Sequence, residues 1–230
     1  MTPEVRAGPI PLPRALLFDL DGTLVNSLDD IAYALNKARG ESGAAPAPRD
    51  TVRGWIGGGA AKLVARSVGV TDESNPAVRL LLARFLEIYG TESGPRSPLL
   101  PGVRELLDAL VRRGVRLACT TNKPAAATRI VLGSHGLDSL FGDAVVTPET
   151  IGVRKPEPGF FAEAFRRLGG VAPAESFGFG DGVPDVRGGR GIGAPTVAVL
   201  GGYGDRAALL AEGPTWTVER PRELLTRLAW

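Results

Sequence analysis

Ala15-Leu16-Leu17-Phe18-Asp19-Leu20-Asp21-Gly22-Thr23 carries four apolar residues straight into two carboxylates at i and i+2, then a Gly and a Thr. A short, unbroken apolar run closed by a Gly turn predicts a strand buried on both faces, as found in parallel sheets. Ligands in such sheets bind at the carboxyl ends of the strands, which is where Asp19 and Asp21 fall. Two carboxylates this close repel each other, so ionising both calls for compensation, most simply by a hard cation such as Mg²⁺ with oxygen ligands. The plain alternative is an acidic strand-to-loop turn, since Asp and Gly are common there.

Outward from this stretch the chain shows two patterns. Apolar residues at 28, 31, 32, 35 and 38 predict a helix over 28–38, with Ser27 before it and Asp29 and Asp30 in its first turn. A loop spans 40–48. Asp50 is placed to cap a short helix ending near Gly57-Gly58-Gly59, and 60–68 reads as another helix. Pro76 opens a helix over 77–89 whose apolar residues at 78, 81, 82, 85 and 88 form one stripe. No strand is predicted from 28 to 93, and a loop at 91–101 follows.

Beyond the loop the chain alternates. Helices are expected at 103–113, from Pro124 to about 134, and at 157–168, 183–190, 205–211 and 222–228. Strands are expected at 115–120, 144–146, 176–180, 196–200 and 216–218, the last at an edge. Such alternation predicts an α/β fold, a parallel sheet wound on both faces by helices. Residues 1–13, punctuated by Pro, read as a flexible tail. The expected organisation is an α/β core from 1–27 and 94–230. An all-α domain, 28–93, is inserted at the ligand-binding edge, where a lid would sit.

Composition narrows the function. The chain has 230 residues, 43% hydrophobic and 23% charged, ordinary for a globular protein with a real core. Its 27 basic and 25 acidic residues nearly balance and the basic ones are scattered, so nothing favours a nucleic-acid surface. The stretch up to Arg14 has four prolines and no apolar h-region, which argues against a signal peptide. No apolar run approaches the roughly 20 residues that span a membrane. One cysteine excludes an intramolecular disulfide and suits a reducing compartment, so a cytoplasmic location is expected; the expected assembly is a monomer or homodimer. All but four of the 27 cations are Arg, the exceptions being Lys37, Lys62, Lys123 and Lys155.

Three more strand ends carry candidate chemistry. Thr120-Thr121-Asn122-Lys123-Pro124 closes the second strand, and a hydroxyl with free N–H groups at a helix start suits phosphate oxygens, or is simply an N-cap. Gly152-Val153-Arg154-Lys155-Pro156 follows the third strand. A Lys beside an Arg in this Arg-rich chain invites a role for a compact ammonium, although a lone surface Lys is equally ordinary. Phe179-Gly180-Asp181-Gly182-Val183-Pro184-Asp185 closes the fourth, placing Asp181 where Asp19 sits on its own strand, so that a cation between them is natural. All four groups fall at carboxyl ends of parallel strands, and that coincidence points to one site.

These residues resemble the haloacid dehalogenase-like hydrolases over nearly the whole chain. Asp19-Leu20-Asp21-Gly22-Thr23 matches the first motif of that family, Thr121-Asn122 the second, Lys155 the third, and Asp181 with Asp185 the fourth. The helical insertion is similar to the family's helical cap. Thr51-Val52-Arg53-Gly54-Trp55-Ile56-Gly57-Gly58-Gly59-Ala60 and Thr121-Asn122-Lys123-Pro124 look most like bacterial phosphoglycolate phosphatases. The chain departs from the pattern at Asn26, where Asp is usual, at Leu99-Leu100, which replaces Pro-Tyr, and in the Gly/Arg-rich 186–194.

The resemblance implies a Mg²⁺-dependent phosphatase of a small phosphorylated metabolite, with 2-phosphoglycolate leading. It makes Asp19 the nucleophile that forms an aspartyl-phosphate and Asp21 the general acid and base. It gives Mg²⁺ to Asp19, the Asp21 carbonyl and Asp181, with Asp185 acting through a metal-bound water. Thr121, the Asn122 N–H and Lys155 would hold phosphoryl oxygens, and Gly22 would let the backbone turn tightly beside them. Arg53 is a candidate for gripping the substrate carboxylate, the alternative being a solvated helix Arg. His135 and Cys119 read as structural, and Trp55 more as filler of the helical insertion than as a substrate contact. A phosphomutase with the same motifs, or a phosphatase for a sugar phosphate or pyrophosphate, are the alternatives. A dehalogenase is disfavoured by the second carboxylate at Asp21, and a non-catalytic binding module by the presence of every motif residue.

Overall fold

The Ala15–Phe18 run forms a strand with all four side chains buried, and the computed structural model, which describes residues 5–230, builds the sheet around it. The strands are β1 (Ile10–Pro11), β2 (Ala15–Phe18), β3 (Arg116–Thr120), β4 (Val145–Val146), β5 (Ser176–Gly180), β6 (Thr196–Val199), β7 (Trp216–Val218) and β8 (Leu228–Ala229). Six of them form one sheet in the order β4-β3-β2-β5-β6-β7 with every pairing parallel. The chain steps outward from β2 on one side and then returns to β5 on the other. The order therefore reverses between β2 and β5, the place where open α/β sheets bind ligands. Both faces of β2 are buried by alternation: Leu16 and Phe18 join one apolar cluster, Ala15 and Leu17 the other. Phe18 meets Phe179 of β5 edge-on at 5.2 Å.

Helices cover the two faces. They are α1 (Leu28–Glu41), α2 (Arg49–Trp55), α3 (Ala60–Ser67), α4 (Pro76–Glu92), α5 (Val103–Arg112), α6 (Ala125–Ser134), α7 (Asp138–Phe141), α8 (Pro148–Ile151), α9 (Pro158–Arg167), α10 (Val183–Gly191), α11 (Arg206–Ala211) and α12 (Leu224–Arg227). Leu106, Leu107 and Leu110 of α5 pack with Leu16 and Phe18, whereas Phe160, Phe161 and Phe165 of α9 pack with Ala15 and Leu17. The doubly wound parallel sheet expected from the sequence is the fold found. Helices α1 to α4 bury a core of their own, joined by Ala127 of α6 and bordered by Tyr203. Buried Asp30 of α1 pins the returning chain, accepting from Gly94 N at 2.8 Å and from the Ser97 hydroxyl. No helix among the described residues is long and apolar enough to cross a membrane.

The glycines of 186–194 have a packing reason. A Cβ on Gly188 would strike the Phe161 ring of α9, and one on Gly189 would strike Thr196 of β6, so α10 can lie directly on α9 and β6 only with bare backbone there. Gly188→Val is expected to destabilise the protein by about 1–3 kcal/mol through overpacking. A denaturant melt with the parent midpoint would show that Phe161 has room to move.

Several expectations are corrected. The 1–13 tail is partly ordered: Ile10 is fully buried in the core and Ile10–Pro11 pairs in parallel with Leu228–Ala229, while residues 1–4 lie outside the described part. The prolines suggested looseness, but one buried Ile outweighs them. The closing helix of 222–228 is a 3₁₀ turn, Pro221–Glu223, followed by the single turn of α12 and then β8. Asp50 lies inside the first turn of α2, and Pro48 takes the capping position without a side-chain bond. The one-turn helices α7 and α8 have too few residues to leave a periodic signal.

Candidate active site

β2 ends where its ladder makes one more bond, Asp19 N to Phe179 O at 2.8 Å, so the Asp19 side chain is fixed at the sheet edge beside β5. Its Oδ1 accepts from Leu20 N at 2.7 Å and lies 2.8 Å from Lys155 Nζ. The Lys155 ammonium also donates to Asp185 Oδ1 at 2.6 Å and to Thr120 O at 2.8 Å, which uses all three of its hydrogens. Asn122 clamps the Lys155 backbone, accepting from its N–H at 2.9 Å and donating to its carbonyl at 3.3 Å. The Asn122 side chain therefore positions Lys155. The Lys155–Pro156 peptide is cis.

Asp181 follows β5 and accepts from Thr23 Oγ1 at 2.8 Å and Tyr203 N at 2.6 Å. Asp185, in the first turn of α10, accepts from Gly182 N at 3.0 Å. Gly22 has φ +82°, and a Cβ there would press on the Asp181 carboxylate, so this turn requires glycine. Carboxylate oxygens of Asp19, Asp181 and Asp185 all lie within 4.8 Å of one another.

This density of charge is costly. Burial, and then Asp185, push the Asp19 carboxyl up to about 7 despite the opposing Lys155. Burial, and then Asp19, push Asp181 up to about 7 as well, and burial raises Asp185. Burial works against a charged Lys155, but Asp185 and Asp19 outweigh it and hold the ammonium above its usual range. At 4.8 Å each ionised carboxylate pair repels by about 3 kcal/mol at an effective dielectric of 20. One Lys cannot neutralise three carboxylates, and an all-oxygen donor set of this kind fits a hard divalent cation.

Asp21 faces a different partner. Its Oδ1 lies 2.9 Å from Lys123 Nζ, whose side chain is fully buried and also bonds the Tyr89 hydroxyl of α4. Thr121 Oγ1 accepts from Lys123 N at 3.1 Å. The sequence offered a hint of Lys123 in its being one of four lysines in an Arg-rich chain; Tyr89 read only as part of a helix.

A cavity of about 470 Å³ lies between the strand ends and the insertion, lined by Asp19, Asp21, Thr121, Asn122, Lys155 and Asp181 among others. Arg53 is not among its lining residues. Its guanidinium donates to Gly202 O at 2.6 Å, so the arm crosses to the loop behind Asp181. The insertion lends the cavity Lys62 and Arg66 instead. Asn26 accepts from the Tyr203 hydroxyl at 2.8 Å, and Leu99 bridges to Val25 beside the first turn. His135 Nε2 meets Ser97 O at 2.6 Å, Cys119 is fully buried with its thiol pushed up by burial, and Trp55 packs on the insertion core. All three lie outside the cavity lining.

Residues 13–193 match the haloacid dehalogenase-like hydrolase family. The chain is 37% identical over 198 residues to a phosphoglycolate phosphatase of Rhodospirillum rubrum, covering 84% of this chain and 81% of the relative. It is 33% identical over 219 residues to a phosphoglycolate phosphatase of Haemophilus influenzae, covering 92% and 96%. Among solved structures, a predicted phosphoglycolate phosphatase from Haemophilus somnus superimposes with a TM-score of 0.82 at 27% identity, covering 94% of this chain and 97% of that one.

Proposed function

The chain belongs to the haloacid dehalogenase-like hydrolases, and from that premise we propose that it is a Mg²⁺-dependent phosphatase that hydrolyses 2-phosphoglycolate through an aspartyl-phosphate on Asp19. The observation that carries the reading is the Asp19 environment. The carboxylate is held through Oδ1 by Leu20 N and Lys155, beside Asp181 and Asp185 and two residues from a second carboxylate, Asp21. The substrate is supported by the phosphoglycolate phosphatases at 33% and 37% identity.

Asp19 Oδ2 attacks phosphorus, the bond from phosphorus to the leaving alkoxide breaks, and Asp21 gives that oxygen its proton. Water then attacks phosphorus of the aspartyl-phosphate and passes a proton to Asp21. The bond to Asp19 breaks, inorganic phosphate leaves and the carboxylate is restored. Thr121 and the Asn122 N–H hold the phosphoryl oxygens while charge moves among them, and Lys155 joins them by exchanging one of its three bonds for a phosphoryl oxygen. Asp19, Asp181, Asp185 and the Asp21 carbonyl would hold Mg²⁺, which when bound offsets the repulsion between carboxylate and phosphate. The insertion acts as the lid that excludes water during transfer, and the lone Cys119 fits a reducing cytoplasm.

Phosphate release measured across a panel of phosphorylated metabolites tests the substrate. The expected result is the highest kcat/KM on 2-phosphoglycolate; a sugar phosphate or pyrophosphate ahead of it would replace this substrate. Arg53→Ala is expected to slow phosphoglycolate and p-nitrophenyl phosphate together, by about tenfold, because it loses the charged bond to Gly202 that seats the insertion. A loss confined to phosphoglycolate in parallel assays would assign Arg53 the role of carboxylate grip.

A further inference from the structure

Lys123 spends a buried charge on two partners from different parts of the fold. Its side chain has no exposed surface, and Nζ lies 2.9 Å from Asp21 Oδ1. The same nitrogen bonds the Tyr89 hydroxyl and sits 4.4 Å from the Tyr89 ring centroid. Asp21 belongs to the turn after β2, whereas Tyr89 belongs to α4 of the insertion. Tyr89 is itself buried, stacked on Phe85 at 5.1 Å, and burial holds its phenol well above the ordinary range, so its oxygen accepts from the ammonium. Both aromatic side chains line the cavity.

Burying an ammonium is expensive, and a solvated Lys could offset the Asp21 charge without that cost. What the buried arrangement adds is geometry. Lys123 holds Asp21 Oδ1, and Asp21 Oδ2 has no hydrogen-bond partner among the described residues. The ammonium is in turn fixed from above by a residue of the insertion and from below by its own backbone, whose N–H donates to Thr121 Oγ1.

We propose that Lys123 and Tyr89 are positioning residues that align the Asp21 carboxylate for proton transfer, and that alignment is complete only when α4 is seated on the core. This rests on the assignment of Asp21 as acid and base made above. The insertion then both closes the cavity and sets the group that moves the proton.

The test uses Tyr89→Phe, which keeps the ring and removes one oxygen, and Lys123→Met, which keeps the length and removes the charge. Each is mixed with p-nitrophenyl phosphate and Mg²⁺ in stopped flow. The p-nitrophenolate leaving group needs no proton, so phosphoryl transfer to Asp19 does not draw on Asp21, whereas hydrolysis of the aspartyl-phosphate does. The expected signature is a nitrophenolate burst at the parent rate with amplitude near one per site. Steady turnover then falls about tenfold for Tyr89→Phe and about 100-fold for Lys123→Met. A burst slowed in step with turnover, or turnover at the parent rate, overturns the proposal. Tyr89→Phe carries the test if Lys123→Met does not fold. Asp21→Asn is run alongside: parent-like turnover there removes the acid–base assignment itself. A slow Asp21→Asn beside parent-like Tyr89→Phe and Lys123→Met removes only the positioning role.

Discussion

Asp19→Asn is expected to fold as the parent does and to turn over phosphoglycolate at least about 10⁴-fold more slowly, the scale seen when a nucleophile is removed. The amide keeps the shape of the carboxylate and its Oδ1 can still accept from Leu20 N and Lys155. It cannot form the acyl-phosphate. The same change should raise the melting temperature of the chelated protein. Asp19 is pushed up to about 7 by burial and Asp185, so above that pH its ionised form works against folding, and a neutral amide does not. A folded Asp19→Asn protein with parent rates would refute the covalent route.

Exhaustive chelation is expected to abolish turnover, with Mg²⁺ restoring it and Ca²⁺ inhibiting, because looser and higher coordination suits in-line geometry poorly. Stability carries an independent reading of the same site. Asp19 and Asp181 both rise from 3.8 to about 7 in the folded chain. Carboxyls raised in this way bind protons more tightly when folded than when unfolded. Their contribution is fully present below about pH 4 and is lost as pH rises through 7. The chelated protein should therefore lose stability across that window, and Mg²⁺ should raise Tm more at pH 8 than at pH 5.5, where protons compete for the carboxylates. Equal Mg²⁺-induced shifts at the two pH values, or full activity after chelation, would count against a cation held by these residues.

The sheet was legible because its strands are short apolar runs, four of them followed by candidate chemistry, and the run ahead of Asp19 is buried on both faces as its composition requires. The convergence of Asp19, Lys155, Asp181 and Asp185 was legible for the same reason: parallel strands deliver their ends to one edge. What escaped depends on pairs distant in sequence. Ile10 is buried only because Leu228 arrives beside it 218 residues later. Lys123 acquires its partners from the turn after β2 and from α4, and the Tyr203 backbone reaches Asp181 from a loop with no motif of its own. The Arg53 bond to Gly202 escaped because helical position gives a side of α2 and not the reach of a long side chain.

The measurement that bears most directly on the account is capture of the phosphoryl group. The protein is mixed with phosphoglycolate and Mg²⁺, quenched in acid within the first turnover, digested, and its peptides are read by mass spectrometry. The account predicts a phosphoryl group on the peptide that carries Asp19, released by hydroxylamine as an acyl-phosphate must be, and missing from Asp19→Asn. A first turnover that yields glycolate with no phosphorylated peptide, or with the group on any other residue, would contradict it.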